Sequence, residues 1–183
     1  MKKANWKSFL LCLFVFFIFY VLISGKPFGV SKLKEITGGV GILDLERTYT
    51  SEYAYKLLNK LGRTGRKIYL NRILPLDFIF PLVYVTFLSI TIGFIYKNLL
   101  PRNHYLQRLN IIPMVLGLFD YVENILIMRM LIKYPVKNFR IASFASIMTT
   151  SKWFLVSISI LIIILGTGTL ICVNVKNKCH KVS

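Results

Sequence analysis

Four apolar runs constrain most strongly what this chain can fold into. They cover residues 9–23, 74–96, 111–132 and 153–173. The last three each supply about the 20 residues that a helix needs to cross a bilayer. The chain is 55% hydrophobic, above the roughly 45–50% of a typical soluble domain. The sequence therefore predicts an all-α, polytopic membrane protein with four transmembrane helices.

The first run has the pattern of a signal peptide or a signal anchor. Met1, Lys2, Lys3 and Lys7 precede it, and the sequence SGKPFG follows it. The residues 22–25 form a poor cleavage site, because small residues are not spaced as A-x-A. We expect an uncleaved anchor over 1–24. A loop domain (25–73), three further spans (74–175) and a basic tail (176–183) would follow.

The loop domain contains a predicted amphipathic helix. Thr50 or Ser51 can cap its start, and Gly62 stands where a left-handed residue ends many helices. Its apolar residues recur at the spacing i, i+3, i+4 and i+7, namely Ala54, Leu57, Leu58 and Leu61. Such a helix can lie on a membrane surface or cover the end of a helix bundle.

The chain is strongly basic, with a formal net charge of +17. Membrane lipids, especially anionic ones, are the expected partners of that charge. Arg63, Arg66 and Lys67 form a cluster that is either solvated or a lipid head-group site. Nucleic-acid binding is not expected, because no recognition motif is present and the aromatic residues lie in apolar runs.

The orientation of the spans follows from two opposing signals. A raw count of Lys and Arg by the positive-inside rule opposes cytoplasmic termini, but much of that charge belongs to the long first loop, where charge predicts less. A short tail with Lys2 and Lys3 resists translocation. We expect a multi-pass protein of the cell membrane with both termini cytoplasmic.

The third span carries charged side chains within its apolar sequence. Asp120, Glu123 and Asn124 stand at i, i+3 and i+4, so they share one helix face near the middle of the span. A charge at the bilayer centre costs at least about 2.5–3.5 kcal/mol, so these groups must face protein. They are candidates for a functional site.

Other spans offer partners for these groups. Asp77 and Tyr84 share a face of the second span, and Lys152 can reach the carboxyls if the fourth helix begins within residues 140–151. Two interpretations follow. The cluster either holds the helices in register, or Asp120 and Glu123 act as a catalytic acid and base, one of them protonated.

Five short segments carry a resemblance to a known family. They are GILDLE, YTSEYAYKLLNKLGRTGRKIYL, LDFIFPLVY, FDYVEN and SKW, and together they extend over residues 41–153. The chain is similar in these segments to a family of small bacterial four-span integral membrane proteins. The resemblance implies the four-span architecture and implies no activity, cofactor or partner.

Three functions remain open on this sequence. The favoured one is a nonenzymatic accessory or interaction protein that binds a membrane protein partner or a second copy of itself. The second is an intramembrane enzyme acting on a lipid or isoprenoid, and the third is a small transporter. No cofactor or metal is expected, because CxxC and HExxH are absent and the two histidines lack nearby ligands.

Overall fold

The computed structural model describes residues 6–25, 29–101 and 104–179, which form helices and connecting turns without a β-strand. The predictions for residues 1–5 and 180–183, including the end of the basic tail, lie outside this part of the chain. The described ranges contain seven α-helices in this order: α1 (Trp6–Ser24), α2 (Val30–Thr37), α3 (Ser51–Lys60), α4 (Gly62–Ile68), α5 (Leu74–Leu99), α6 (Ile112–Lys133) and α7 (Phe139–Cys179).

Within the described residues, three continuous helical stretches are long and apolar enough to cross a membrane. They cover Gly62–Leu99, Tyr105–Lys133 and Phe139–Val173, and they contain the second, third and fourth apolar runs. The first stretch joins α4 to α5 through a π-helical turn, Tyr69–Ile73. A 3₁₀ segment, Tyr105–Ile111, leads into α6. An all-helical fold with three candidate membrane spans is therefore confirmed.

The first apolar run forms a shorter apolar helix over Phe9–Ser24. It lies against α5 through aromatic side chains. The ring of Phe9 lies 6.2 Å from that of Phe94, and the ring of Phe16 lies 5.9 Å from that of Phe80. The earlier residue of α1 therefore meets the later residue of α5, so the two helices run antiparallel.

Helix α7 begins well before its apolar run. The Asn138 side chain accepts a hydrogen bond from the Ile141 backbone N–H at 3.1 Å, which satisfies a free donor at the helix start. Lys152 therefore lies in the fourth turn of α7, not at its beginning. Ala142 and Ala145 are fully buried, and such small residues let helices approach closely.

The first loop folds into α2, a 3₁₀ turn at Leu43–Leu45 and α3. Thr50 caps α3 by accepting a hydrogen bond from the Tyr53 backbone N–H at 3.2 Å. Gly62 begins the next helix in the left-handed region, at φ 63°. The four apolar residues of the amphipathic pattern, Ala54, Leu57, Leu58 and Leu61, are all buried.

The loop helices pack onto one end of the long helices. Their shared core joins loop residues with the start of α5, the end of α6 and the start of α7; it includes Leu33, Leu43, Leu58, Leu74, Ile127, Met130 and Ala145. We call this end of the molecule the loop side. A second, smaller core at the other end contains Ile92, Ile95 and Tyr96.

Candidate functional site

The centre of the site is one face of α6. Asp120, Glu123 and Asn124 point into the protein, with exposed fractions of 3%, 0% and 0%. Exposed apolar residues such as Leu118 and Ile125 occupy the opposite side of the helix. The helical spacing of the three polar residues thus directs them away from the exposed apolar surface of α6.

Lys152 of α7 links the two carboxyls. Its Nζ lies 3.2 Å from Asp120 Oδ1 and 2.5 Å from Glu123 Oε2. Tyr84 of α5 donates a hydrogen bond of 2.5 Å to the second oxygen of Asp120. Three helices therefore meet at one buried ionic network, and both carboxyls have partners from the chain itself.

The network continues to the loop through Thr149. The Thr149 hydroxyl donates to Glu123 Oε1 at 2.7 Å, and its oxygen lies 3.4 Å from the Tyr49 hydroxyl. Ser146, one turn earlier on α7, donates to the Tyr49 carbonyl at 2.6 Å. Tyr49 precedes α3, so these contacts attach the loop to α6 and α7. Burial raises the pKa of the Tyr49 phenol.

A further carboxyl reaches the site from the loop. Asp44, in the 3₁₀ turn, is 5% exposed and accepts a hydrogen bond from the hydroxyl of Tyr69. Tyr69 is fully buried at the start of the π-helical turn. A π-helical turn is rare and often occurs at functional sites. Here it directs the tyrosine hydroxyl toward the loop carboxyl.

Asp77 and Asn124 complete the site on the α5 side. The Asn124 amide donates to the Asp77 backbone carbonyl at 2.9 Å. Four buried oxygens of the cluster lack a hydrogen-bond partner within the described residues. Glu123 Oε2 has its ion pair with Lys152, whereas Asp44 Oδ1, Asp77 Oδ2 and Asn124 Oδ1 have no ion pair there. A buried polar atom without a partner is unfavourable in a protein interior, so these oxygens are the least stabilised atoms of the network.

We call this set the polar cluster: Asp44, Tyr49, Tyr69, Asp77, Tyr84, Asp120, Glu123, Asn124, Thr149 and Lys152. It buries four of the seven acidic residues of the chain beside one lysine. The carboxyls interact electrostatically with one another and with Lys152. Burial of several carboxyls beside one cation is unfavourable unless they are paired or hydrogen-bonded, so the cluster depends on Lys152 and on its hydroxyl donors.

The structure brings six residues of the predicted site together: Asp77, Tyr84, Asp120, Glu123, Asn124 and Lys152. It places the predicted head-group residues elsewhere, on α4 and facing away from the cluster. Arg63 and Lys67 are exposed. Arg66 donates to the Leu58 carbonyl at 2.8 Å and lies 3.9 Å above the Tyr134 ring, so it stabilises the loop fold.

Sequence reasoning missed Asp44, Tyr49, Tyr69 and Thr149. Asp44 and Tyr49 lie in irregular loop sequence, where no periodicity indicates which side chains are buried. Tyr69 lies in a π-helical turn, which shifts the faces of a regular helix. Thr149 gave a usable signal, because it precedes Lys152 by three residues and so shares its helix face.

The cluster is enclosed by protein. Two cavities, of about 390 and 190 Å³, lie on the loop side, and neither is lined by a residue of the polar cluster. Among the described residues, no three histidine, cysteine or acidic side chains are placed to hold a metal ion. The arrangement joins α5, α6, α7 and the loop through buried polar contacts, and neither of these two cavities reaches it.

The chain was compared with protein-family models, with curated proteins and with solved structures, and none matches it. The resemblance to a four-span bacterial family therefore stays an expectation from the sequence. The role of the cluster follows from its own charges, contacts and enclosure.

Proposed function

We propose that this chain is a four-span protein of the cell membrane that acts as a nonenzymatic accessory or interaction protein. Helix α1 serves as the fourth span, since it is apolar and packs antiparallel along α5. With four crossings both termini lie on the same side of the membrane, which we propose is the cytoplasm, and the loop side lies on the opposite face.

Reporter fusions test this arrangement. Alkaline phosphatase, which is active only outside the cytoplasm, is inserted after Arg47 of the loop or fused after Ser183. The proposal predicts an active loop insertion and an inactive C-terminal fusion. The reverse pattern would contradict the proposed arrangement of the spans.

One observation carries the nonenzymatic role: the carboxyls of α6 are occupied by groups of the same chain. Lys152 and Tyr84 bind Asp120, while Lys152 and Thr149 bind Glu123. A catalytic acid must be within hydrogen-bond reach of its substrate, and neither cavity reaches these atoms. The polar cluster instead fastens the loop domain to the spans, which leaves the loop side as the interaction surface.

Site-specific photo-crosslinking in cells tests the interaction role. A photoreactive amino acid replaces Tyr53, which is exposed on α3, and in a matched variant Leu82, which is exposed on the apolar surface of α5. We expect discrete protein or self crosslinks from position 53 and mainly lipid adducts from position 82. Absence of any discrete protein product at position 53 would contradict a protein partner on this surface.

A second candidate is an intramembrane enzyme acting on a lipid or isoprenoid, with Asp120 and Glu123 as acid and base. The observation that favours it is the set of buried oxygens without partners on Asp44, Asp77 and Asn124. Perturbed, closely spaced titratable groups are frequent at active sites. In this interpretation the loop domain opens to admit the substrate.

Native mass spectrometry of protein extracted with its own lipids separates the two candidates. Wild type is compared with Asp120→Asn/Glu123→Gln. A discrete lipid that wild type retains and a folded variant loses would favour the enzyme. A variant that loses its fold, with no specific lipid on either form, would favour the structural role.

A further inference from the structure

Two neighbouring cavities on the loop side share a wall. The larger one, of about 390 Å³, lies between α3 and the connection from α6 to α7; the smaller one, of about 190 Å³, lies beside the end of α6. Tyr55 lines both. They therefore lie side by side at Tyr55, and we call the two together the recess.

The recess is strongly basic. Lys56 and Lys137 line the larger cavity, and Arg129 and Lys133 line the smaller one. Glu52, in the larger cavity, is the one acidic residue among those that line them. The ion pairs found within the described residues involve none of these four cations, so they are available to an anion.

The walls of the recess are held in place by contacts of its uncharged residues. The Asn138 backbone N–H donates to the Tyr55 hydroxyl at 2.7 Å, and the Tyr134 hydroxyl donates to Asn59 Oδ1 at 2.8 Å. The Phe139 ring lies edge-on to Tyr55 at 5.7 Å. A preformed site loses less entropy on binding than one that must be ordered.

The smaller cavity opens beside an apolar helix surface. Ile125, Arg129 and Ile132 stand at i, i+4 and i+7 on one face of α6, and all three are exposed. The two isoleucines on this face can make apolar contacts with an acyl chain. Arg129 stands within the last turns of the helix, where a cation meets the lipid head groups.

We propose that this recess binds the phosphate-bearing head group of one anionic phospholipid. Arg129 and Lys133 hold the phosphate in the smaller cavity, where no carboxylate opposes it, and an arginine suits this role because its planar guanidinium matches phosphate oxygens. The rest of the head group extends past Tyr55 toward Lys56 and Lys137, and an acyl chain lies along Ile125 and Ile132. This inference rests on the proposed membrane location and names a lipid partner for the loop side.

The test uses the full-length chain in nanodiscs that contain equal amounts of phosphatidylglycerol and phosphatidylcholine. Native mass spectrometry after gentle release counts the lipids that stay bound. We expect wild type to retain one phosphatidylglycerol at least fivefold more often than phosphatidylcholine. Arg129→Gln/Lys133→Gln should lose that preference. Lys97→Gln/Arg108→Gln, which removes two exposed cations at the opposite end of the spans, should keep it.

A second variant protects the test against misfolding. Lys56→Gln/Lys137→Gln changes two exposed side chains and should reduce the preference without abolishing it. Equal retention of both lipids by wild type, or an unchanged preference in Arg129→Gln/Lys133→Gln, would overturn the proposal. Retention of inorganic phosphate without phosphatidylglycerol, distinguished by adduct mass, would also overturn it. A chain that enters nanodiscs without lipid preference leaves the membrane proposal intact, whereas one that does not enter them contradicts both.

Discussion

The ammonium of Lys152 lies 2.5 Å from Glu123 Oε2 and 3.2 Å from Asp120 Oδ1, and it is the one basic side chain among the buried polar residues of the described chain. The lysine comes from α7 and both carboxyls come from α6. Because one cation serves several carboxyls, the stability of the helix pair depends on it more than on any single acid.

Replacement of this lysine should therefore be strongly destabilising. Lys152→Met keeps much of the side-chain volume but leaves buried carboxylates without a cation, and loss of one partner of a buried pair costs about 3–5 kcal/mol. The measurement is the free energy of unfolding in mild detergent. Lys97→Met, at an exposed position of α5, is the control and should change it by less than about 0.5 kcal/mol. Equal free energies of unfolding for Lys152→Met and Lys97→Met would show that the ion pairs of Lys152 do not stabilise the fold.

The bond between Tyr69 and Asp44 should be a measurable part of the attachment of the loop. Tyr69→Phe leaves a buried carboxyl oxygen without its donor, which costs about 1–3 kcal/mol of unfolding free energy. Tyr53→Phe removes a comparable hydroxyl that donates to Glu46 at an exposed site and should cost much less. If the two substitutions lower the unfolding free energy equally, the hydrogen bond from Tyr69 to Asp44 contributes no more than an exposed one.

Helices α5 and α7 pack closely at the end of the molecule away from the loop side, near the second core. A Cβ atom at Gly166 would lie 2.7 Å from Ile95 Cγ2 and 2.9 Å from Tyr96 Cε2. Gly166→Ala should therefore destabilise by about 1–3 kcal/mol, as overpacking does. Gly168 has nothing within 4 Å of its Cβ position, so Gly168→Ala should be neutral or slightly stabilising. The thermal unfolding midpoints of the two variants check this, and equal midpoints would contradict the close helix contact.

The Tyr49 phenol predicts how stability responds to alkaline pH. Burial raises its pKa in the folded protein, so its contribution is complete below the unfolded value of about 10 and is lost as the pH rises toward the folded value. Unfolding free energy should fall above about pH 10, by at most about 1.4 kcal/mol per pH unit from this group. Tyr49→Phe should make that decline shallower, whereas Tyr105→Phe, on an exposed ring, should not. If Tyr49→Phe leaves the slope of unfolding free energy against pH unchanged, Tyr49 is not a source of the alkaline decline.

The sequence predicted the helical fold and the polar face of α6 because both depend on local periodicity. Asp120, Glu123 and Asn124 share a face by helix geometry alone, and burial follows from the cost of exposing them to lipid. Lys152 was predictable as a partner only on the condition that α7 begins early. Asn138 meets that condition by capping the helix start.

The loop contribution could not be read from the same patterns. Asp44 reaches the site because the 3₁₀ turn at Leu43–Leu45 packs against α6, with Leu43 in the shared core, and such packing depends on tertiary contacts rather than on sequence spacing. The sequence placed the carboxyls of α6 near the middle of a span. Asp120 and Glu123 do lie near the middle of α6, and the contacts of Thr149 with Glu123 and Tyr49 also join that face to the loop.

We infer that the polar cluster fastens the loop domain to the long helices. Hydrogen–deuterium exchange of the α3 amides, in wild type and in Asp120→Asn/Glu123→Gln, tests it most directly. If the cluster fastens the loop, exchange over Ser51–Lys60 should be at least about tenfold faster in the variant, while the second core around Ile95 keeps its protection. Unchanged protection of α3 in a folded variant would contradict the structural role. It would favour the alternative in which Asp120 and Glu123 act as a catalytic acid and base.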